Sequence, residues 1–152
     1  MNIKDIYEEE IDTALEFSFN QLIDTTQFFK FKGYYNLALE KYKELAKNYH
    51  QENNTLFIGY YLENKLVGLL EINDCYINQI AVDSNFRNQG IGYNLFFYAI
   101  HNKEDGEIIC LDAAIDSIHY YENWGFVING ELNKKTNSIK MKYIVSNKNK
   151  SY

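Results

Sequence analysis

Along the N-terminal third of the chain, apolar positions recur at helical spacing. Ile11, Ala14, Leu15, Ser18 and Leu22 fall on one stripe between Glu9 and about Ile23, the pattern of a helix that buries one face. Ala38, Tyr42, Leu45 and Tyr49 mark a second helix with Lys and Glu on its other side, broken at Asn53-Asn54. The period then shortens. Thr55–Leu62 and Leu66–Ile72 are rich in β-formers and flank a turn at Asn64-Lys65, and Asn73-Asp74 turns the chain again into Cys75–Val82. A polar loop, Asp83–Gln89, leads to a helix with Ile91, Leu95, Phe96, Ala99 and Ile100 on one side. Glu107–Ala113 reads as a short buried strand. Asp116-Ser117 opens another helix, capped by Asp116 and ended by Gly125. Phe126–Leu132 and Ile139–Val145 form a closing hairpin over a Lys-Lys-Thr-Asn turn. Meandering strands followed by strand–helix–strand units predict an α/β (α+β) fold, a mixed sheet with helices on both faces.

At 152 residues the whole chain, 1–152, reads as one domain. A domain of this size buries roughly 70% of its unfolded surface and needs neither disulfide nor metal to hold a core. Cys75 and Cys110 sit in apolar runs without a CxxC spacing, as small buried hydrophobes do in a reducing compartment. Acidic residues interrupt the N-terminus where a signal peptide would need a basic and then an apolar stretch, and no apolar run reaches spanning length. The reading is cytoplasmic, off the membrane. The net charge of -6 argues against nucleic acid, whose partners present a basic face. No two histidines have metal-ligand spacing, so no metal is expected.

Candidate chemistry concentrates where a strand ends and a helix starts: Ile80-Ala81-Val82, then Asp83-Ser84-Asn85-Phe86-Arg87-Asn88-Gln89-Gly90-Ile91-Gly92. A helix start aims main-chain N–H groups outward, and its dipole favours an anion there. Gly90 and Gly92 let a pyrophosphate approach the main chain, and Arg87 adds a planar charged fork. The Arg-x-x-Gly-x-Gly match alone is weak, because average composition places it in roughly one chain in ten. A Walker loop is ruled out by the missing Gly-Lys-Ser/Thr end. A dinucleotide fingerprint lacks its third glycine.

The surroundings of that loop carry more. Ile80–Gly92 resembles the acyl-CoA signature of the GNAT acetyltransferases. Downstream, Tyr120-Tyr121-Glu122-Asn123-Trp124-Gly125-Phe126 resembles that family's second motif, in the same order and after the same short strand. The resemblance covers Thr55–Val145. It implies a mostly antiparallel central sheet of six to seven strands flanked by about four helices, and transfer of an acetyl group from acetyl-CoA to a small-molecule or peptide amine. It also implies that main-chain groups of Ile80, Ala81 and Val82 hold the pantetheine arm, and that Arg87, Asn88, Gln89, Gly90, Ile91 and Gly92, with Tyr93 close by, wrap the pyrophosphate. Tyr121 matches the general acid. A phenol near pKa 10 can protonate a thiolate whose conjugate acid lies near about 8.5.

Other readings stay open. Ile118, Tyr121 and Trp124 recur at helical spacing, so Tyr121 also fits a core aromatic; Tyr120 reads first as packing, but a register one residue off would put Tyr120 rather than Tyr121 at the thioester. The family's frequent carboxylate is missing from the strand before the signature, where Tyr76, Asn78 and Gln79 stand; Glu71 and Asp74 are the nearest substitutes. Ala114 replaces the Asn that often precedes the tyrosine helix. The missing base keeps a non-catalytic acyl-CoA-binding module in play. Phe28, Phe29, Phe31, Tyr34 and Tyr35 suggest an aromatic wall for the acceptor, or core packing. The resemblance fits a monomer or a homodimer.

Overall fold

A computed structural model of the protein describes residues 2–26 and 35–146. Its elements are β1 (Asn2–Ile6), α1 (Ile11–Thr26), α2 (Tyr35–Asn53), β2 (Leu56–Leu62), β3 (Lys65–Asn73), β4 (Tyr76–Val82), α3 (Ile91–Ala99), β5 (Ile108–Ala114), α4 (Ile118–Glu122), β6 (Val127–Ile128) and β7 (Ser138–Ile144). The strands form one seven-stranded sheet in the order β1-β2-β3-β4-β5-β7-β6. Every neighbouring pair is antiparallel except β4 and β5.

The sheet separates two apolar layers. Ile6, Phe57, Leu66 and Leu69 pack with Ala14 and Leu15 of α1. On the other face Ile58, Val67, Leu70, Ile77, Ile109, Leu111 and Met141 pack with Leu95 and Phe96 of α3 and with Trp124 and Phe126 beyond α4. Gly68 sets how close α3 lies. A Cβ there would stand 2.7 Å from the Ile91 side chain, so the first turn of α3 rests on β3 with no side chain between. Gly68 is also the register partner of Val82, which places that turn beside the end of β4.

Several expectations shift. The first strand was not predicted; Asn2–Ile6 forms an edge strand against β2, with Ile3 facing Tyr60 in register. In α2 the buried stripe runs through Leu39, Tyr42 and Ala46 rather than through Leu45 and Tyr49, which are 58% and 45% exposed. Leu22, predicted on the buried stripe of α1, is exposed. The β2–β3 turn falls one residue early, on Glu63 and Asn64, both left-handed at φ 49° and 65°, the geometry that matches the twist of a two-residue hairpin. Asp116 makes no cap bond; a short 3₁₀ turn, Ile115–Ser117, starts α4 instead. The final hairpin pairs over Val127–Ile128 and closes by a single bridge, Asn133 to Ser138, far less than the Phe126–Leu132 strand predicted. Gly125 does end α4, at φ 106°.

Candidate active site

The site begins with a split in the sheet. β4 and β5 pair at Tyr76–Cys110 and Ile77–Leu111 only. Past that point β4 continues along β3 as far as Val82, without a strand partner on its β5 side among the described residues. A bulge lies at the same place: Glu71 faces Gln79 and Ile72 faces Ile77, so Asn78 is the extra residue. Bulges bend a strand and re-aim its side chains. Here Ile77 stays in the α3 layer, while Asn78 and Gln79 both turn toward α1 and α2, where they meet Tyr49 and Ser18.

The loop after β4 is built from local hydrogen bonds. Asp83 accepts from the Asn85 amide at 2.9 Å, its carbonyl accepts from the Phe86 amide at 2.8 Å, and Arg87 Nε donates to the Val82 carbonyl at 3.2 Å. Asn88 and Gly90 are left-handed, at φ 63° and 79°, and this reversal delivers the chain into α3. The Asn94 amide closes the first turn of α3 onto the Gly90 carbonyl at 3.0 Å. The amides of Ile91, Gly92 and Tyr93 come before it and have no helical acceptor. A hydrophobic residue at Gly90 would be strained by its φ, although open space surrounds its Cβ position.

These pieces enclose a cavity of about 460 Å³, lined from the end of α1 along the free part of β4 to the start of α3 and the face of α4. Ile80, Ala81, Val82, Arg87, Asn88, Gly90, Ile91, Gly92, Tyr93 and Tyr121 all line it. Gln89, predicted with them, does not. Gln21, Leu22, Gln79, Phe86, Ser117, Tyr120 and Trp124 complete the wall; Tyr120 is the sequence-based alternative to Tyr121, and the other six lie outside the sequence-based set. Among the described lining residues Arg87 is the single charged side chain. In a chain of net charge -6, a wall with one cation and no carboxylate favours an anion locally.

Tyr121 is wedged edge-on between Trp124 (ring centroids 5.2 Å) and Phe126 (5.9 Å). Burial pushes its phenol up to about 12, helped by neighbouring Tyr120. The hydroxyl thus stays protonated at neutral pH and able to donate. Both expected features coexist: the ring belongs to the core, and the residue borders the cavity.

Behind Gln79 lies a buried polar group. Ser18 Oγ donates to Gln79 Oε1 at 2.5 Å and lies 2.9 Å from the Tyr42 hydroxyl. Glu71, 3% exposed, approaches His50 Nε2 at 3.5 Å with one carboxylate oxygen, while the other has no hydrogen-bond partner among the described residues. Burial raises the Glu71 carboxyl to about 7, with nearby Ser18 acting against it, and burial lowers the His50 imidazole. Each group is driven toward its neutral form, so the pair is a polar contact rather than an ion pair. Asp74, the other substitute carboxylate, is exposed at the far turn and pairs with Lys103 at 3.5 Å. Of the predicted aromatic wall, Phe28, Phe29, Phe31 and Tyr34 lie outside the described residues; Tyr35 packs on Phe19 and bonds Asn20 at 2.6 Å.

No curated protein matches the chain by sequence. Solved structures share its fold. A PaiA N-acetyltransferase from Thermoplasma acidophilum, in complex with coenzyme A, aligns with TM-score 0.69 at 18% identity over 95% of this chain and 100% of its own. A ribosomal-protein-alanine N-acetyltransferase from Brucella melitensis gives 0.65 at 16% over 95% and 100%. A chimera of the Vibrio cholerae spermidine N-acetyltransferase with hSSAT gives 0.65 at 15% over 94% of each. The family model of the acetyltransferase (GNAT) domain matches residues 29–144, and with the split sheet, the glycine-bearing turn and the tyrosine helix in place, the chain belongs to the GNAT acetyltransferases, the acetyl-CoA-dependent acyltransferases.

Proposed function

We propose that the cavity holds acetyl-CoA and that the protein moves its acetyl group to a primary amine, of a small molecule or a peptide, by direct attack. The observation that carries this reading is the continuity of one cavity from the start of α3, along the part of β4 that β5 leaves free, to the α1 face. A cofactor with a diphosphate at one end and a thioester at the other needs a site of that length and polarity. The cavity also lies within the usual range for ligand sites, about 300 to 1,000 Å³.

In this reading the amides of Ile91, Gly92 and Tyr93 and the Arg87 guanidinium bind the diphosphate. The main chain of Ile80 and Val82, unpaired on the β5 side, holds the pantetheine arm, and an amide there polarises the thioester carbonyl. The cofactor supplies an acetyl group already activated as a thioester. The amine enters from the α1 side, past Gln21, Leu22 and Gln79, and Tyr121 gives its phenolic proton to the departing sulfur. The attacking nitrogen's proton passes through water to Glu71, the buried carboxylate across the register from Gln79, and the Tyr121 phenolate regains a proton from solvent.

Incubation with acetyl-CoA and spermidine, kanamycin, tyramine, an alanine-ended peptide or a lysine-containing peptide tests the reading through release of free thiol. At least one of these amines is expected to give steady release. Gly90→Glu should abolish CoA binding in calorimetry, because it places a side chain and a negative charge beside the diphosphate; normal affinity in that variant would remove the site assignment. The absence of a carboxylate from the described cavity wall favours one second reading, a non-catalytic acyl-CoA-binding module. Tight CoA binding without thiol release across the panel would select it.

A further inference from the structure

The two glycines of the turn are required for different reasons. Gly90 is needed for its backbone, at φ 79° with nothing within 4 Å of a Cβ position. At Gly92 the reverse holds. A Cβ there would stand 2.5 Å from the Tyr120 hydroxyl and 3.3 Å from the Trp124 ring. Tyr120 therefore occupies the space that the missing side chain leaves.

The direction of that space matters. In a helix each Cα–Cβ bond tilts toward the N-terminus, so a hydroxyl against the Cβ position of Gly92 lies at the amide-bearing end of α3. The phenol is held there by its ring, which packs on Trp124 at 4.7 Å and on Tyr121 at 5.5 Å. The residue is nevertheless 46% exposed and borders the cavity together with Arg87, Asn88 and Gly90. Among the described residues no group accepts a hydrogen bond from its hydroxyl. Burial raises the phenol's pKa, which keeps it a donor at neutral pH.

We propose that the Tyr120 hydroxyl is a binding group for the cofactor's diphosphate, donating to a phosphate oxygen held by the first turn of α3, and that Gly92 is glycine to leave that hydroxyl its place. The inference rests on the cofactor site proposed above and adds a residue and a coupling to it. Neither follows from the turn alone, because Tyr120 comes from a separate motif 28 positions beyond Gly92.

Calorimetric titration of CoA into four proteins tests it: wild type, Tyr120→Phe, Gly92→Ala and the double variant, each checked for an unchanged thermal unfolding midpoint without CoA. Tyr120→Phe removes one oxygen and keeps the ring. Loss of a hydrogen bond to a charged oxygen is expected to weaken CoA binding about tenfold. Gly92→Ala pushes the hydroxyl aside and should cost a similar factor in the wild-type background. In the Tyr120→Phe background the atom at 2.5 Å is gone, and the same change should cost less than about twofold, the non-additivity of two residues that share one contact. CoA affinity in Tyr120→Phe within about twofold of wild type would overturn the proposal, as would losses that simply multiply. A wild-type protein that fails to bind CoA would overturn the site reading itself, and this inference with it.

Discussion

Glu71→Gln isolates a cost that the fold carries at neutral pH. The side chain is 3% exposed, and burial lifts its carboxyl from 4.5 to about 7. A folded-state pKa above the unfolded value means that the native protein binds the proton more tightly. The stabilising contribution is therefore complete below about pH 4.5 and is lost as pH rises through about 7. Each pKa unit corresponds to about 1.36 kcal/mol, so above neutrality the ionised carboxylate costs the fold about 3 kcal/mol. Glutamine has the same shape, carries no charge and can still meet His50. Of the groups that face the carboxylate, Tyr42 is shifted upward by burial and His50 downward, so neither supplies a compensating charge in this window. Urea unfolding of wild type and variant at pH 5 and pH 8 reads the difference directly, since all other titrating groups are common to both. The variant should gain about 2 to 3 kcal/mol relative to wild type between those two pH values, or about 4 to 12 °C in melting temperature for a domain of this size. A gap that stays constant with pH would refute the reasoning, because it would mean that Glu71 titrates as a solvated carboxylate and that the polar group behind Gln79 is wet.

Tyr121→Phe should lower turnover by about tenfold or more while leaving CoA affinity little changed; an unaltered rate would leave the ring a purely structural part of the core between Trp124 and Phe126. Trp124 is the chain's one tryptophan and, at 8% exposed, borders the cavity beside Tyr93 and Tyr120. CoA titration should shift or quench its emission, with the midpoint given by calorimetry, and an unresponsive spectrum would move the cofactor away from α4.

The parts of the fold that the sequence announces are those in which local chemistry and packing agree. β2, β3 and β4 alternate between asparagine-bearing turns, and the left-handed Asn64 and Asp74 show why those residue types stand there. The misplaced elements are those decided by distant partners. β1 is five residues long and carries Lys4 and Asp5; nothing in it outweighs its polarity until β2 offers a ladder. In α2 the large side chains Leu45 and Tyr49 drew the stripe to themselves, yet the side chains toward the sheet are Leu39, Tyr42 and Ala46. Tyr49 instead leans over the sheet to bond Asn73 and Asn78, a role that apolar periodicity has no means of encoding.

The candidate site divides along the same line. The turn from Val82 to Tyr93 is legible because its chemistry is carried by the main chain, which requires glycine and left-handed asparagine at fixed positions. The motif around Tyr121 is legible because the end of α4 requires Gly125. What joins the two is invisible in either. β4 diverges from β5 after two register pairs, and the freed part of β4 stands in the cavity wall between α3 and α1; that divergence coincides with the bulge at Asn78, which turns Gln79 toward α1 with Ser18 and Glu71 behind it. Under the proposed function, the carboxylate missing from the strand before the signature has its counterpart one strand over: the bulged strand presents an amide to the cavity, and Glu71 stands behind it, on β3, where burial raises its pKa to about 7.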